Sequence, residues 1–210
     1  MEASRRHPTL ADELLGLRRD FKWRGVKLRV VAGSLRGRSL AAPPPGVRPT
    51  SDRVRESIFA RLGGLDGLEV LDLFAGTGAL GIEALSRGAK ALVAVDRAPQ
   101  SVAAIEGNLE QLGVASLAKV VRAEVRGAIS RLSAEGNAFD LVFLDPPYAD
   151  LNEASEVLES LLTCNILREG AMVVVEGPKR HSLPSVPGLA LDKMRHYGDT
   201  AVYWLYANSM

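Results

Sequence analysis

The residues best equipped for chemistry lie in Leu141-Val142-Phe143-Leu144-Asp145-Pro146-Pro147-Tyr148, an apolar run ending on a carboxylate, two prolines and a ring. Pro146 and Pro147 have no amide hydrogen to give to a ladder, so a strand stops there. Asp145 and Tyr148 are therefore expected at a strand's carboxyl end, the edge where open α/β sheets bind ligands. A fixed carboxylate, the carbonyls of a rigid bend and an aromatic face suit a planar amine, gripped at its edge and stacked on its face. Taken alone, these residues leave the owner of that amine open.

A second stretch, Asp72-Leu73-Phe74-Ala75-Gly76-Thr77-Gly78-Ala79-Leu80-Gly81, places three glycines where a strand passes into a helix. Glycine lets the backbone approach a ligand with no side chain in between. Gly76 to Gly81 satisfies GxGxxG, and Asp96 follows Gly76 by 20 residues, at the end of the next apolar run, where an acid can bind both ribose hydroxyls. By itself that pattern reads as a nicotinamide dinucleotide site. Asp72 argues otherwise: at the point where the loop leaves the strand it would repel a pyrophosphate and attract an ammonium. S-adenosyl-L-methionine carries an ammonium and no phosphate, and Asp145 to Tyr148 has no task in hydride transfer. Asp72, Phe74, Gly76, Gly78, Asp96 and Arg97 are accordingly expected around S-adenosylmethionine.

The elements that must position these groups alternate. Strands are expected at Leu68 to Phe74, Ala91 to Val95, Ala118 to Val121, Phe139 to Leu144 and Ala171 to Val175, with helices near 78 to 88, 99 to 112, 125 to 134 and 153 to 163. Nearly unbroken apolar strands separated by helices indicate a parallel sheet covered on both faces. Ala190 to Tyr197 turns through Gly198-Asp199 into Thr200 to Tyr206, a closing antiparallel hairpin. The expected fold is α/β and Rossmann-like: a mostly parallel seven-stranded sheet closed by a C-terminal hairpin, with a small N-terminal β-hairpin in front. Asp72, Asp96, Asp145 and Glu176 all end strands and would form one acidic rim.

In front of the sheet, Asp52 onward begins a helix capped by hydroxyl and acidic residues, with Val54, Ile58, Phe59 and Leu62 at helical spacing and Gly63-Gly64 as its stop. Val26 to Ala32 and Arg38 to Ala42 read as short strands around Gly33 to Gly37. Pro43-Pro44-Pro45-Gly46 marks the boundary between this hairpin and the main domain. The division is then an extension over 1–26, a basic hairpin over 27–47 and a catalytic domain over 48–210. A short amphipathic helix over 9–20 carries no chemistry.

Composition limits the partners. With 210 residues, 47% of them hydrophobic and 24% charged, the chain has room for one α/β domain and an appendage. No apolar run approaches the roughly 18 residues of a membrane span, so a cytoplasmic location is expected. Cys164 is the only cysteine, and His7, His181 and His196 are scattered, so no metal centre is expected. The net charge of +1 hides a division: residues 1–61 hold 14 Lys and Arg against 6 Asp and Glu, and the remainder 12 against 19. A basic arm suits a polyanion such as nucleic acid, with Arg36 and Arg38 beside the hairpin turn as phosphate contacts. Edge-strand charges that discourage aggregation are the plainer reading of the same arginines.

At Asp72, Gly76 and Gly78, and again at Asp145 to Tyr148, the chain resembles the class I S-adenosylmethionine-dependent methyltransferases, over Leu68 to Tyr206. The resemblance implies that Asp72 and the loop hold the methionine part, Asp96 the ribose, and Glu124 and Val125 the adenine, although Ala123-Glu124 stands where Gly-Asp is common. Asp145 and the Pro146 carbonyl would grip the amine, with Pro147 and Tyr148 against the base. Arg36-Gly37-Arg38 and Arg48-Pro49-Thr50-Ser51-Asp52-Arg53-Val54-Arg55-Glu56 extend the likeness to the RsmD family, over about 27 to 206. The likeness implies methylation of the N2 amine of the guanine numbered 966 in 16S rRNA. It implies 16S rRNA within an assembled small subunit as partner, a monomeric enzyme, and Arg48 and Arg53 beside the target base. A DNA amino-methyltransferase normally needs a recognition domain for which there is no room, and a protein glutamine methyltransferase usually has Asn at the position of Asp145. Methylation of an adenine or cytosine amine, a nicotinamide oxidoreductase and a non-catalytic RNA-binding module complete the alternatives.

Overall fold

The computed structural model describes residues 28–41, 50–146 and 151–208. The helix expected over 9–20, the Pro43 to Gly46 boundary, Arg48, Pro147 and Tyr148 lie outside the described residues.

Helix α1 (Asp52–Leu62) opens where Ser51 holds an extended backbone and its hydroxyl accepts the Val54 amide at 3.3 Å. Asp52 in the first turn and Arg61 in the last complement the helix dipole. Gly63, at φ 72°, ends it in a conformation that favours glycine. The alternation then proceeds as the sequence indicates: β1 (Glu69–Leu73), α2 (Ala79–Ser86), β2 (Ala91–Asp96), α3 (Pro99–Leu112), β3 (Ala118–Arg122), α4 (Val125–Ala134), β4 (Phe139–Leu144), α5 (Leu151–Thr163), β5 (Leu167–Pro178), β6 (Leu189–Tyr197) and β7 (Thr200–Ala207). The seven strands form one sheet in the order β3-β2-β1-β4-β5-β7-β6. Strands β1 to β5 pair in parallel, and β7 runs antiparallel to both β5 and β6.

Side-chain alternation along the strands divides the core in two. Leu71, Leu73, Val93, Val95, Val142, Leu144, Val173 and Val175 pack with Ile129 and Leu132 of α4 and Leu158 and Leu161 of α5. Val70, Leu92, Ala94, Leu141, Phe143, Val174 and Trp204 pack on the other face with Phe59 of α1, Ile82 of α2 and Ile105 and Leu109 of α3. Both faces are dry, which is why these strands read as apolar runs.

The N-terminal arm forms the expected hairpin in a short form. Around the Arg29–Ser39 bridge, the amides of Leu40, Val30 and Gly37 donate to the carbonyls of Leu28, Arg38 and Val30 at 2.8, 2.9 and 2.9 Å. The turn side of the hairpin is bonded to α2. Glu83 of α2, fully buried, accepts the amides of Val31 (2.6 Å) and Ala32 (2.9 Å), and Ser86 accepts those of Ser34 and Leu35. A Cβ on Gly33 (φ 82°) would lie 1.8 Å from the Ser86 carbonyl oxygen, so glycine is required for this approach. Further along, the Ala41 amide donates to Oδ1 of Asn108, and Gln111 donates to the Ser39 carbonyl, both from α3. Leu28, Val30 and Leu40 are buried in the second core. The described part of the arm thus lies across α2 and α3 as part of the main core.

Candidate active site

Strand register assembles the acidic rim. Leu73 is level with Val95 and with Leu144, and Leu144 is level with Val175. The residues one step further, Asp96 on β2, Phe74 after β1, Asp145 after β4 and Glu176 on β5, therefore form one row across the carboxyl edge. Alternation turns Asp96, Asp145 and Glu176 toward the face of α1, α2 and α3, shared by Ala94, Phe143 and Val174. Asp72 lies on the same face, one level below. The rim expected from sequence is thus brought together as one feature. Phe74 alone breaks the alternation: at φ 59° its ring packs against the opposite core, leaving the middle of the row clear. A non-glycine residue held there costs on the order of 1–3 kcal/mol and is characteristic of functional sites.

On the β1–β2 side the acids organise the glycine loop. Asp72, 2% exposed, accepts the Gly81 amide at 3.0 Å. Burial pushes its carboxyl up to about 7; the Gly81 amide pulls the other way, and Asp145 and Asp96 add to the rise. Asp96 accepts the Gly76 amide at 2.9 Å through one oxygen and the Ala98 amide at 2.8 Å through the other. Gly76 (φ 58°) and Gly78 (φ 75°) carry the turn, and a Cβ on Gly81 would lie 2.6 Å from Leu92, so the loop needs glycine for its curvature and for helix packing. Glu124, exposed, precedes α4 and accepts Arg97 at 3.4 Å, while Val125 is buried as the first residue of α4.

These residues fit S-adenosylmethionine. A carboxyl whose charge is disfavoured by burial suits an ammonium, Asp96 at the next strand's end suits ribose hydroxyls, and residues 72–81 contain no Lys or Arg to hold a pyrophosphate. Asp72 also pins the helix start, a contact that is not visible in the sequence.

On the β4–β5 side, Asp145 is half-buried and Pro146 buried. Thr50, just ahead of α1, brings its hydroxyl to 3.3 Å from Asp145 Oδ2 and 3.0 Å from Glu176 Oε2. Thr50 falls within Arg48 to Glu56 but does not stand out in the sequence, because a lone hydroxyl beside helix-capping residues reads as part of the cap. Sequence reasoning misses Asn108 as well. This residue, 1% exposed, accepts the Ala41 amide at 2.7 Å and donates to the Thr77 carbonyl at 2.9 Å, joining arm to glycine loop. Its one signal is a polar side chain on the apolar stripe of Ile105, Leu109 and Leu112.

The arginines separate into classes. Arg55 is fully buried, donating to Asp52 at 2.6 Å and to the Arg29 carbonyl at 2.8 Å, while its Nε and Nη1 have no hydrogen-bond partner among the described residues. Arg29 pairs with Asp52 at 3.1 Å, and Arg61 with Asp192. Arg38, exposed, donates to the Gln111 carbonyl in the last turn of α3 at 3.1 Å. Arg36 and Arg53 are exposed, and their guanidinium groups have no hydrogen-bond acceptor among the described residues.

With this geometry in place, comparison with known proteins is direct. The family model described as Conserved hypothetical protein 95 matches residues 28–206. Ribosomal RNA small subunit methyltransferase D of Escherichia coli K12 is 39% identical over 167 residues, covering 77% of this chain and 80% of that protein. The solved structure of E. coli yhhF superimposes with a TM-score of 0.77 at 29% identity, covering 88% of this chain and 99% of that one. An RNA methyltransferase of Salinibacter ruber, solved with S-adenosyl-L-homocysteine, shares the fold at a TM-score of 0.62 and 21% identity, over 78% of this chain and 95% of that one. The chain has the class I methyltransferase fold and belongs to the Conserved hypothetical protein 95 family, the RsmD-type S-adenosylmethionine-dependent ribosomal RNA methyltransferases.

Proposed function

We propose that the chain methylates the exocyclic N2 amine of a guanine in 16S rRNA, the guanine numbered 966, within the small ribosomal subunit. The observation that carries this reading is the row Asp96–Phe74–Asp145–Glu176, which sets an amine-gripping carboxylate two strands from the cofactor's ribose acid, roughly 10 Å at ordinary strand spacing. When bound, S-adenosylmethionine supplies an electrophilic methyl group on a sulfonium.

The amine is a weak nucleophile because its lone pair is delocalised into the ring. Asp145 accepts one amine hydrogen and the Pro146 carbonyl the other, which turns the lone pair toward the methyl donor. As the N–C bond forms, positive charge develops on nitrogen beside the Asp145 carboxylate, which stabilises it and is the nearest acceptor for the proton that leaves. Tyr148 stacks on the base, an interaction worth about 1–3 kcal/mol, offsetting part of the cost of unstacking it. Arg48 and Arg53 stand beside the target nucleotide, and Arg36 and Arg38 meet phosphates. The enzyme acts as a cytoplasmic monomer on assembled subunits.

The test is tritium transfer from labelled S-adenosylmethionine to undermethylated small subunits, followed by nucleoside analysis. Label in N2-methylguanosine is expected. Label in an adenine or cytosine nucleoside, or in protein, would overturn the reading.

A further inference from the structure

Asp145 accounts for the amine but not for the acid beside it. Glu176 occupies the next strand in the same row, on the same face, and the Thr50 hydroxyl meets one oxygen of each carboxylate at 3.0 and 3.3 Å. The one hydroxyl thus ties the two acids together. The outcome is two carboxylates presented side by side on the substrate half of the rim, beyond the strand that carries the cofactor loop.

An ionised carboxylate only accepts hydrogen bonds. In guanine, the ring nitrogen next to the exocyclic amine, N1, carries a hydrogen. In adenine and cytosine the corresponding ring nitrogen carries a lone pair, which a carboxylate repels. A pair of acceptors side by side therefore matches one base edge: N2–H to Asp145 and N1–H to its neighbour.

We infer that Glu176, held in line by Thr50, is the specificity residue of the site, accepting guanine N1–H while Asp145 handles the amine. The inference rests on the proposal that the target is guanine N2. Adenine and cytosine are excluded by electrostatic mismatch at their ring nitrogen, and Asp145 by itself would accept all three amines.

The experiment compares guanine with 2-aminopurine, which keeps the N2 amine but has a lone pair at N1. Small subunits are reconstituted with ligated 16S rRNA carrying either base at the methylated position, and kcat/KM for tritium transfer is measured. Wild type should prefer guanine by at least about tenfold, since a site built to hydrogen-bond a donor rejects its absence strongly. In Glu176→Gln the amide can either donate to or accept from the base, so the preference should fall at least tenfold relative to wild type, with S-adenosylmethionine affinity unchanged. Differences in intrinsic amine reactivity are common to both enzymes and cancel in this ratio.

A Glu176→Gln preference within twofold of wild type overturns the inference. So does a wild-type enzyme that methylates the two bases equally, a result that needs no variant to fold. If wild type labels neither base but labels adenine or protein, the proposal of guanine N2 methylation itself fails, and the two failures are thereby told apart.

Discussion

The two halves of the carboxyl edge are built by opposite means. On the cofactor side, Asp72 and Asp96 bind backbone amides 9, 20 and 2 residues away, so the glycine loop is held by its own neighbourhood. On the β4–β5 side, proposed to take the base, Asp145 and Glu176 meet through Thr50, which is 95 and 126 residues away in the chain. The first half is a local motif that forms with its β-α unit. The second exists only after β4, β5 and the entry to α1 have come together. Binding the methyl donor and gripping the amine are therefore expected to fail separately.

Substitution at Asp145 should separate them most sharply. Asp145→Asn keeps the shape but loses the charge that stabilises developing positive nitrogen. A hydrogen bond to a charged group contributes about 1.5–3 kcal/mol, so turnover should drop by about ten- to a hundredfold or more. Affinity for S-adenosylmethionine, measured by calorimetry, should remain within twofold. Loss of cofactor binding in this variant would mean that the halves are not independent.

Asp72 probes the other half through pH. Its carboxyl rises from an ordinary 3.8 to about 7 because it is buried. A raised acid stabilises the ligand-free fold fully below its unfolded value, and that contribution is lost as pH rises through about 7. Thermal stability of the free protein should decline between pH 4 and 7 by more than in Asp72→Asn. The ligand's ammonium reverses the preference by favouring the ionised form. Affinity for S-adenosylmethionine should therefore rise from pH 6 to 8 with release of a proton, and Asp72→Asn should bind about tenfold more weakly, with a flatter profile. A proton release that persists in Asp72→Asn would assign the titration elsewhere.

This contrast also explains what is legible in the sequence. Strand and helix positions, the glycine loop, the rim acids and the closing hairpin all follow from local periodicity and turn chemistry, and the sheet places them as expected. Thr50 and Asn108 carry no such signal. Each is a polar side chain whose role depends on partners from distant segments, Asp145 and Glu176 in one case, Ala41 and Thr77 in the other. The docking of the arm on α2 is hidden for the same reason. The arm's alternation indicates the hairpin, but not that Glu83 and Ser86, unremarkable within their helix, accept the amides of Val31, Ala32 and Leu35.

Asn108 tests whether the cofactor half is as local as it looks, since it ties Thr77 in the loop to Ala41 in the arm. Asn108→Ala leaves a buried carbonyl and a half-buried amide unpaired, at a cost of about 1–3 kcal/mol. That corresponds to a fall in Tm of about 3–10 °C for a chain of this size. Affinity for S-adenosylmethionine should weaken a few fold, while turnover at saturating cofactor stays near wild type. A loss confined to turnover would instead place Asn108 with the base half.

The smallest effect expected is at the surface of the arm, and it distinguishes two arginines that look alike in the sequence. The Arg36 guanidinium is exposed with no acceptor among the described residues, whereas Arg38 caps the last turn of α3 through the Gln111 carbonyl. Removing one cation that meets a phosphate should lower the slope of log affinity against log salt by about 0.7–0.9. Arg36→Gln should therefore reduce the slope for ribosomal RNA by nearly one, with Tm unchanged. Arg38→Gln should lower Tm as well, because a carbonyl at the end of α3 is deprived of its cation beside the segment that Asn108 and Gln111 hold in place. If both variants change only the slope, the hydrogen bond to Gln111 is incidental and the arm's basic character serves RNA alone. If neither changes it, the arm is a structural brace for α2 and α3, and RNA binding depends on other cations.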